Sequence, residues 1–228
     1  MGKAEQTSQT YDAMFRDGGY EGAFDLPYRH STYYPMFHAV LGELRRHPAR
    51  RVLEVGCGSG AFAQLLLERT SLVYHGIDFS PVAVGKAGAR TGRPELFRVG
   101  DALDAASYAW EHDAIVCTEV LEHIEQDQAA IGLWRRGTLC VCSVPDYDAE
   151  THVRFFRSEA EVRARYGGLI DIATVRQVRK PYLSDISWRN RLRELRWNRH
   201  RPRRLRQILG LAPEADYGHW FVFTGRKT

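Results

Sequence analysis

The most informative stretch of the chain is Val52-Leu53-Glu54-Val55-Gly56-Cys57-Gly58-Ser59-Gly60. Its apolar start predicts a buried strand, and the three glycines let the backbone turn tightly and approach a ligand with no Cβ in the way. Either Ser59 or Gly60 can then begin a helix over Ala61–Arg69. A strand that breaks into a glycine-rich turn and opens a helix is typical of a site for a nucleotide-like ligand.

An acidic residue downstream supports this interpretation. A second apolar strand, predicted over Leu72–Ile77, ends at Asp78, where a carboxylate can accept both hydroxyl groups of a ribose. A nicotinamide-dependent oxidoreductase shares these features, but its turn is Gly-x-Gly-x-x-Gly, which places a pyrophosphate on the helix N-terminus. The turn here is Gly-x-Gly-x-Gly, and the carboxylate of Glu54 just before it would repel a pyrophosphate. The oxidoreductase interpretation is therefore not favoured.

Three further motifs follow the glycine turn in order. They are Gly76-Ile77-Asp78-Phe79-Ser80, Gly100-Asp101-Ala102 and Asp113-Ala114-Ile115-Val116-Cys117-Thr118-Glu119-Val120-Leu121-Glu122-His123. With Val52–Gly60 they resemble the class I S-adenosylmethionine-dependent methyltransferases over about residues 50–145. Within that family the resemblance is closest to the branch that contains the ubiquinone-biosynthesis O-methyltransferases. It implies S-adenosylmethionine as cofactor and S-adenosylhomocysteine as product.

Strands and helices alternate after residue 48. The predicted elements are Arg51–Val55, Ala61–Arg69, Leu72–Ile77, Pro81–Ala89, Glu95–Val99, Asp113–Thr118, Val120–Leu133, Thr138–Ser143, Ser158–Arg165, Ile170–Val178 and His219–Thr224. Such alternation indicates βαβ units and a mainly parallel sheet with helices on both faces. We predict an α/β, Rossmann-like fold with a seven-stranded sheet. The resemblance implies that its last strand inserts antiparallel beside the fifth.

The chain divides into four parts of one predicted domain. Residues 1–48 form a helical N-terminal lid, residues 49–180 the cofactor-binding core, residues 181–217 a basic helical insertion and residues 218–228 the last strand. No apolar run approaches the roughly eighteen residues of a membrane span, and the N-terminus lacks the apolar core of a signal peptide. We therefore expect a cytoplasmic protein with no membrane partner, present as a monomer or a homodimer.

The four cysteines are interpreted as reduced thiols. They are Cys57, Cys117, Cys140 and Cys142. All lie in or beside predicted strands, and none belongs to a Cys-x-x-Cys pair, which favours small apolar core residues over metal ligands. A zinc site at Cys140 and Cys142 is an alternative, but one intervening residue suits two side chains on one strand face better than a zinc knuckle.

The insertion concentrates positive charge. Arg189–Arg206 contains nine arginines and one acidic residue, Glu194, so it carries +8 while the rest of the chain sums to −4. Apolar residues at helical spacing predict two short amphipathic helices that meet at Pro202. They are Trp188, Leu192 and Leu195, and then Leu205, Ile208 and Leu209.

Three functions of the insertion stay open. The arginines would hold a phosphate or carboxylate through two hydrogen bonds, which indicates a small anionic acceptor. They would also suit a nucleic-acid backbone, with Trp188 and Trp197 available for stacking. The chain uses 28 arginines and only four lysines, so a solvated surface or an oligomer contact is the third interpretation.

The resemblance assigns the cofactor contacts. It implies that Glu54 with the glycine turn holds the methionine part, that Asp78 holds the ribose, and that Asp101 and Ala102 hold the adenine, on which Phe79 packs. Glu119 would line the pocket beside the sulfonium, and Tyr11 of the lid would touch the cofactor. The predicted cofactor-binding set is Tyr11, Glu54, Gly56, Cys57, Gly58, Asp78, Phe79, Asp101, Ala102 and Glu119.

Methyl transfer requires the acceptor to be held close to the methyl group and, for a hydroxyl acceptor, to lose a proton. The predicted catalytic residues are His123, as base, and Glu119. His123 is predicted one turn into a helix, where Glu119, Glu122 and His123 would share a face. These three residues could hold a divalent metal ion, with His152 as a fourth ligand or a substrate contact. The metal is an open alternative that we do not favour, because two acids in a first helical turn are also stabilised by the helix dipole.

The predicted activity is therefore methyl transfer from S-adenosylmethionine to a hydroxyl or amine of a small, anionic or phosphate-linked metabolite. The alternative is a nucleic-acid-binding protein or RNA methyltransferase that uses Arg189–Arg206. Gly18, Gly19 and Gly22 give the lid hinge freedom to close over the transferred group and exclude water.

Overall fold

The computed structural model describes residues 3–179, 192, 195–196, 198–212 and 218–228. The strands are β1 Arg51–Val55, β2 Val73–Asp78, β3 Phe97–Val99, β4 Ala114–Thr118, β5 Leu139–Pro145, β6 Ile170–Arg179 and β7 His219–Lys227. They form one sheet in the order β3-β2-β1-β4-β5-β7-β6. Strands β1 to β5 pair in parallel, and β7 is antiparallel to both β5 and β6. The predicted sheet, with its antiparallel last strand beside the fifth, is confirmed.

The helices are α1 Ser8–Arg16, α2 Tyr34–Arg46, α3 Ala61–Arg69, α4 Pro81–Thr91, α5 Asp127–Gly132, α6 Glu159–Tyr166 and α7 Pro202–Ile208. Short 3-10 turns lie at Tyr20–Asp25, Tyr28–His30, Pro94–Leu96 and Ala105–Tyr108. Within the described residues, none of the helices combines the length and the apolar character that crossing a bilayer requires.

Two hydrophobic cores lie on opposite faces of the sheet. Along β4, Ala114 and Val116 belong to the core that includes α2 and α3, while Ile115 and Cys117 belong to the core that includes α5 and α6. This division follows from the two-residue period of a strand. All five residues of β4 are buried, as expected for a central parallel strand covered on both faces.

The four cysteines behave as the sequence predicts. All are buried and none forms a disulfide. Cys140 and Cys142 lie on the same face of β5, within the core that includes α5 and α6. Both therefore serve as small apolar residues in this core.

The chain reverses its direction of winding between β1 and β4. From β1 it proceeds through β2 to β3 on one side, and it then returns to place β4 on the other side of β1. Neighbouring loops at such a switch point diverge and leave a crevice at the carboxyl ends of the strands. Glu54 to Gly58 lie in or just after β1 and Glu119 directly follows β4, so both line this crevice.

The predicted helix Val120–Leu133 is wrong at its start. Turns replace it up to residue 126, and α5 includes only Asp127–Gly132. Glu119 has a φ of 56°, and the carbonyl oxygens of Leu121, Ile124 and Glu125 accept hydrogen bonds from the guanidinium of Arg154. These carbonyls are thus bound by a distant side chain, which favours a loop over a continuous helix.

Two other predicted elements need correction. The predicted strand Glu95–Val99 is shorter, because Pro94 begins a 3-10 turn and leaves only Phe97–Val99 in the sheet. In the insertion, most of the first predicted helix, with Trp188 and Trp197, lies outside the described residues. The second helix begins at Pro202 as predicted. Its predicted apolar stripe is only partly correct, since Ile208 is buried but Leu209 is 57% exposed.

The N-terminal segment lies over the glycine turn. Ser80, whose hydroxyl caps the start of α4, also donates a hydrogen bond from that hydroxyl to Asp12 of α1. The guanidinium of Arg90 donates to the carbonyls of Phe24 and Leu26 in this segment and of Ser59 in the turn, at 2.6, 2.7 and 2.7 Å. The segment is therefore tied to both α4 and the turn.

Gly60 and Gly85 offer a matched test of the turn. Gly60 has a φ of 77°, and a Cβ added there would lie 2.8 Å from the Cα of Ala87 in α4. We expect Gly60→Ala to lower the free energy of unfolding by about 1–3 kcal/mol, measured by urea denaturation. Gly85 lies inside α4 with open space around its Cα, so Gly85→Ala should raise stability by roughly 0.5–1 kcal/mol. Equal midpoints for the two variants would show that the turn does not require glycine.

Candidate functional site

The glycine turn is fixed by hydrogen bonds to the end of β2. The backbone N–H groups of Gly56 and Cys57 both donate to the carbonyl of Ile77, at 2.8 and 2.9 Å. Gly56 has a φ of 75°, and a Cβ there would overlap Val120 after β4. Gly56 therefore allows β1 and the loop after β4 to approach each other closely.

Asp78 joins the turn to the start of α4. Its carboxylate accepts from the N–H of Gly58 and from the N–H of Ser80, both at 2.9 Å. Burial raises the pKa of Asp78 to about 6, although these two hydrogen bonds act in the opposite direction. At neutral pH the group is mostly ionised and its orientation is fixed.

Glu54 is a buried acid at the end of β1. Only 2% of its surface is exposed, and its carboxylate accepts a hydrogen bond from the hydroxyl of Tyr74, a fully buried residue of β2. Burial raises the pKa of Glu54 to about 8, the Tyr74 hydrogen bond lowers it, and the charge of Asp78 adds to the increase. Near neutral pH the group is therefore largely protonated when no cation lies beside it. Tyr74 was not among the predicted site residues. Its hydrogen bond to Glu54 connects two different strands, and the sequence pattern of either strand alone does not indicate it.

The residues after β2 and β3 complete this side of the site. The ring of Phe79 lies 5.2 Å from that of Tyr11 in α1, centroid to centroid. Asp101 is exposed, and its carboxylate accepts from the N–H of Leu103 at 2.8 Å. Ala102 accepts at its carbonyl from the Tyr108 hydroxyl at 2.7 Å. Asp101, like Asp78, thus accepts hydrogen bonds from the backbone and also lines the crevice.

One cavity of about 700 Å³ brings the predicted residues together. Every predicted cofactor-binding and catalytic residue lines it. These residues are Tyr11, Glu54, Gly56, Cys57, Gly58, Asp78, Phe79, Asp101, Ala102, Glu119 and His123. Its volume falls within the range of small-molecule sites.

His123 lies in the loop after β4 and not on a helix as predicted. Its Nδ1 lies 2.9 Å from the carbonyl of Thr151, a geometry in which Nδ1–H donates and Nε2 keeps its lone pair. Burial lowers the pKa of His123 to about 4, and the neighbouring His152 acts in the same direction. The imidazole is therefore neutral across the physiological pH range and can accept a proton or bind a cation.

The predicted grouping of Glu119, Glu122 and His123 on one helical face is wrong, because the residues lie in a loop. The structure instead groups Glu122, His123 and His152, whose possible ligand atoms lie within 4.8 Å of one another. His152 has its Nδ1 3.1 Å from the carbonyl of Tyr147, so both imidazoles are oriented through Nδ1. Burial and the charge of Glu119 raise the pKa of Glu122. A divalent cation fits the chemistry of this donor set, since it favours ionised carboxylates and neutral imidazoles.

Basic and aromatic side chains line the same cavity. Arg201, Arg203 and Arg204 line it beside Gln207, and α2 with the loop before it contributes Tyr33, Met36 and Phe37. Arg201 and Arg204 are half-buried, and Arg203 is exposed. The described part of the basic insertion therefore faces the same cavity as the acids of β1 and β2.

Curated relatives match a limited part of the chain. The ubiquinone biosynthesis O-methyltransferase of Escherichia coli O127:H6 is 33% identical over 86 residues, which are 36% of this chain and 35% of that protein. The protein of the same name from Salmonella typhimurium LT2 gives the same identity and coverage. The match thus spans about a third of the length of these relatives.

Solved structures share the fold at low identity. The N-methyltransferase NodS from Bradyrhizobium japonicum WM9, in complex with S-adenosyl-L-homocysteine, is 20% identical with a TM-score of 0.58, over 86% of this chain and 87% of that one. The [4+2]-cyclase SpnF is 16% identical with a TM-score of 0.63, over the full length of both chains. Magnesium protoporphyrin IX methyltransferase from Synechocystis PCC 6803, with bound S-adenosylhomocysteine, is 16% identical with a TM-score of 0.54, over 88% and 84% of the two chains.

A family model described as a methyltransferase domain matches residues 28–226, which include β1 to β6 and all of β7 except its last residue. This match extends well beyond the region of the four sequence motifs and confirms the resemblance that they indicated. The chain belongs to the methyltransferase domain family.

Proposed function

We propose that this protein transfers a methyl group from S-adenosylmethionine to a hydroxyl or amine of a small anionic acceptor. The observation that carries the proposal is that acids and arginines line one and the same cavity. The acids lie at or just after the ends of β1, β2 and β3, and the arginines flank or belong to α7. A cationic cofactor and an anionic acceptor would thus meet in the same space.

The cofactor would lie on the glycine turn. The carboxylate of Asp78 would accept hydrogen bonds from the ribose hydroxyls. The adenine would lie between Phe79 and Ala102, with Asp101 at its amino group. Tyr11 would cover both. Glu54 faces the ammonium of the methionine part. The cofactor supplies an electrophilic methyl group, and the chain orients it and excludes water.

The raised pKa of Glu54 generates a test. Glu54 must ionise to pair with the ammonium, and its pKa of about 8 means that binding below this pH also requires loss of a proton. We expect the affinity for S-adenosylhomocysteine, measured by calorimetry, to rise by about fifty-fold between pH 6 and pH 8, because the ionised fraction of Glu54 rises from about 1% to about 50%. Glu54→Gln should bind more weakly, with little dependence on pH over this interval. A wild-type affinity that is flat or falls toward pH 8 would remove Glu54 from the ammonium site.

His123 would accept the proton of a hydroxyl acceptor at Nε2. Loss of a general base lowers turnover by about 10²- to 10⁴-fold, so His123→Asn should lower kcat to this extent while cofactor affinity changes less than about two-fold. His47→Asn, at the end of α2 and outside the cavity, is the matched control. Turnover is followed with methyl-labelled cofactor.

The same assay separates a base from a metal ligand. If His123 acts as a base, excess chelator leaves activity unchanged, and His152→Asn has a smaller effect than His123→Asn. Activity that is lost in chelator and restored by Mg²⁺ or Mn²⁺ would instead assign Glu122, His123 and His152 to a divalent cation.

The arginines generate a test of the acceptor class. Purified protein with methyl-labelled cofactor is screened against metabolite extracts before and after phosphatase treatment, to identify an acceptor. For that acceptor, Arg201→Gln with Arg204→Gln should raise KM by roughly ten- to a hundred-fold, because each arginine would bond an anionic group. Cofactor affinity should stay constant. Arg136→Gln, an exposed site outside the cavity, is the control.

A nucleic-acid substrate would give a different result. If single-stranded RNA is methylated, and its binding weakens steeply between 50 and 200 mM salt in a manner that depends on these arginines, the small-acceptor proposal is wrong.

A further inference from the structure

Arg154 lies in the segment between β5 and α6, two residues after His152. Its guanidinium donates from Nη1 to the carbonyl oxygens of Leu121 and Ile124, and from Nη2 to that of Glu125 at 2.9 Å. Its side chain is only 17% exposed. One side chain thus satisfies three carbonyl groups of the loop after β4.

This guanidinium is itself anchored to a buried acid. Arg154 Nη1 lies 3.2 Å from a carboxylate oxygen of Asp127, the first residue of α5, whose side chain is 1% exposed. Asp127 also accepts from Arg165 Nε at 2.7 Å and from the Tyr166 hydroxyl at 2.7 Å, both on α6. The position of Arg154 is therefore fixed by two helices that lie away from the cavity.

The backbone adds a further connection between the two segments. The N–H of Val153 donates to the carbonyl of Glu122 at 2.9 Å. The loop, residues 119–126, thus contacts the segment that follows β5 through both side-chain and backbone hydrogen bonds. His123 and His152 face the cavity from these two segments, whereas Arg154 is not among the residues that line it.

We propose that Arg154 is a positioning residue for methyl transfer, because its guanidinium holds the 119–126 loop and sets where Glu119 and His123 stand in the cavity. The inference rests on the proposed function of that loop. Arginine suits this role because its planar fork reaches several acceptors at fixed angles, whereas a lysine ammonium is a single point of charge. The role is distinct from catalysis, since Arg154 would act through the loop without touching cofactor or acceptor.

The test compares Arg154→Lys with Arg163→Lys. Arg163 also bonds a backbone carbonyl, that of Ile172 at 2.7 Å, and an acid, Glu159 at 2.8 Å, but it lies on α6 and outside the cavity. Arg154→Lys should lower kcat about 10- to 100-fold, because small displacements of reacting groups have effects of this size. The KM values for cofactor and acceptor should change less than about two-fold. Arg163→Lys should leave kcat near wild type.

Hydrogen–deuterium exchange gives a readout that needs no activity. In Arg154→Lys, amides of residues 119–126 should exchange about ten-fold faster, while those of β4 and α6 keep their rates. Arg154→Gln, which retains an amide NH₂ group as donor, is the second variant and replaces the lysine variant if that does not fold. It should show the same two effects at larger size.

The outcomes separate the two proposals. If the wild-type protein binds S-adenosylhomocysteine but transfers no methyl group, while Arg154→Lys still speeds exchange in the loop, the hold of Arg154 on the loop is supported and the proposed transfer activity is refuted. Unchanged loop exchange, or a fall in kcat matched by a rise in cofactor KM, would overturn the positioning role.

Discussion

The site depends on the carboxylate of Asp78, which is buried at the junction of β2, the glycine turn and α4. It accepts hydrogen bonds from the N–H groups of Gly58 and Ser80. These two amides have no partner in the strands or in the first turn of the helix. Ser80 in turn caps α4 and donates a hydrogen bond to Asp12 of α1. The Asp78 carboxylate thus binds the turn and the start of α4 directly, and Ser80 connects it to the N-terminal segment.

Two buried acids of different ionisation follow from this arrangement. Glu54 and Asp78 both lie at the switch point, but Asp78 receives two backbone hydrogen bonds and Glu54 receives one from a tyrosine hydroxyl. Burial raises the pKa of both groups and these hydrogen bonds oppose the increase, so that the pKa of Asp78 is about 6 and that of Glu54 is about 8. Near neutral pH one group is mostly an anion and the other is held mostly neutral until a cation approaches. The crevice thereby avoids two adjacent buried charges while it retains the capacity to bind a cationic ligand.

The parts of the fold that local sequence determines were predictable. The glycine turn, the alternation of strands and helices and the start of α7 at Pro202 each follow from neighbouring residues, and each agrees with the structure. The prediction of a helix directly after β4 was wrong, because Arg154, about thirty positions downstream, donates hydrogen bonds to the carbonyls of Leu121, Ile124 and Glu125. Arg90 and Tyr74 escaped prediction for the same reason, since their partners lie on other elements. The pattern of one segment carries no signal for such contacts, whereas the spacing of motifs at the ends of parallel strands does.

Family membership and fold do not by themselves fix the acceptor. SpnF, a [4+2]-cyclase, shares this fold over its full length, as do N-methyltransferase and porphyrin methyltransferase structures over most of theirs. What differs among proteins of one fold is the set of side chains that line the site. In this chain, the cavity lining outside the glycine turn includes residues of α2, the loop that carries His123, and the arginines around α7. The arginines line the same cavity as the acids of the strand ends, and this combination of charges is the structural reason to seek an anionic acceptor.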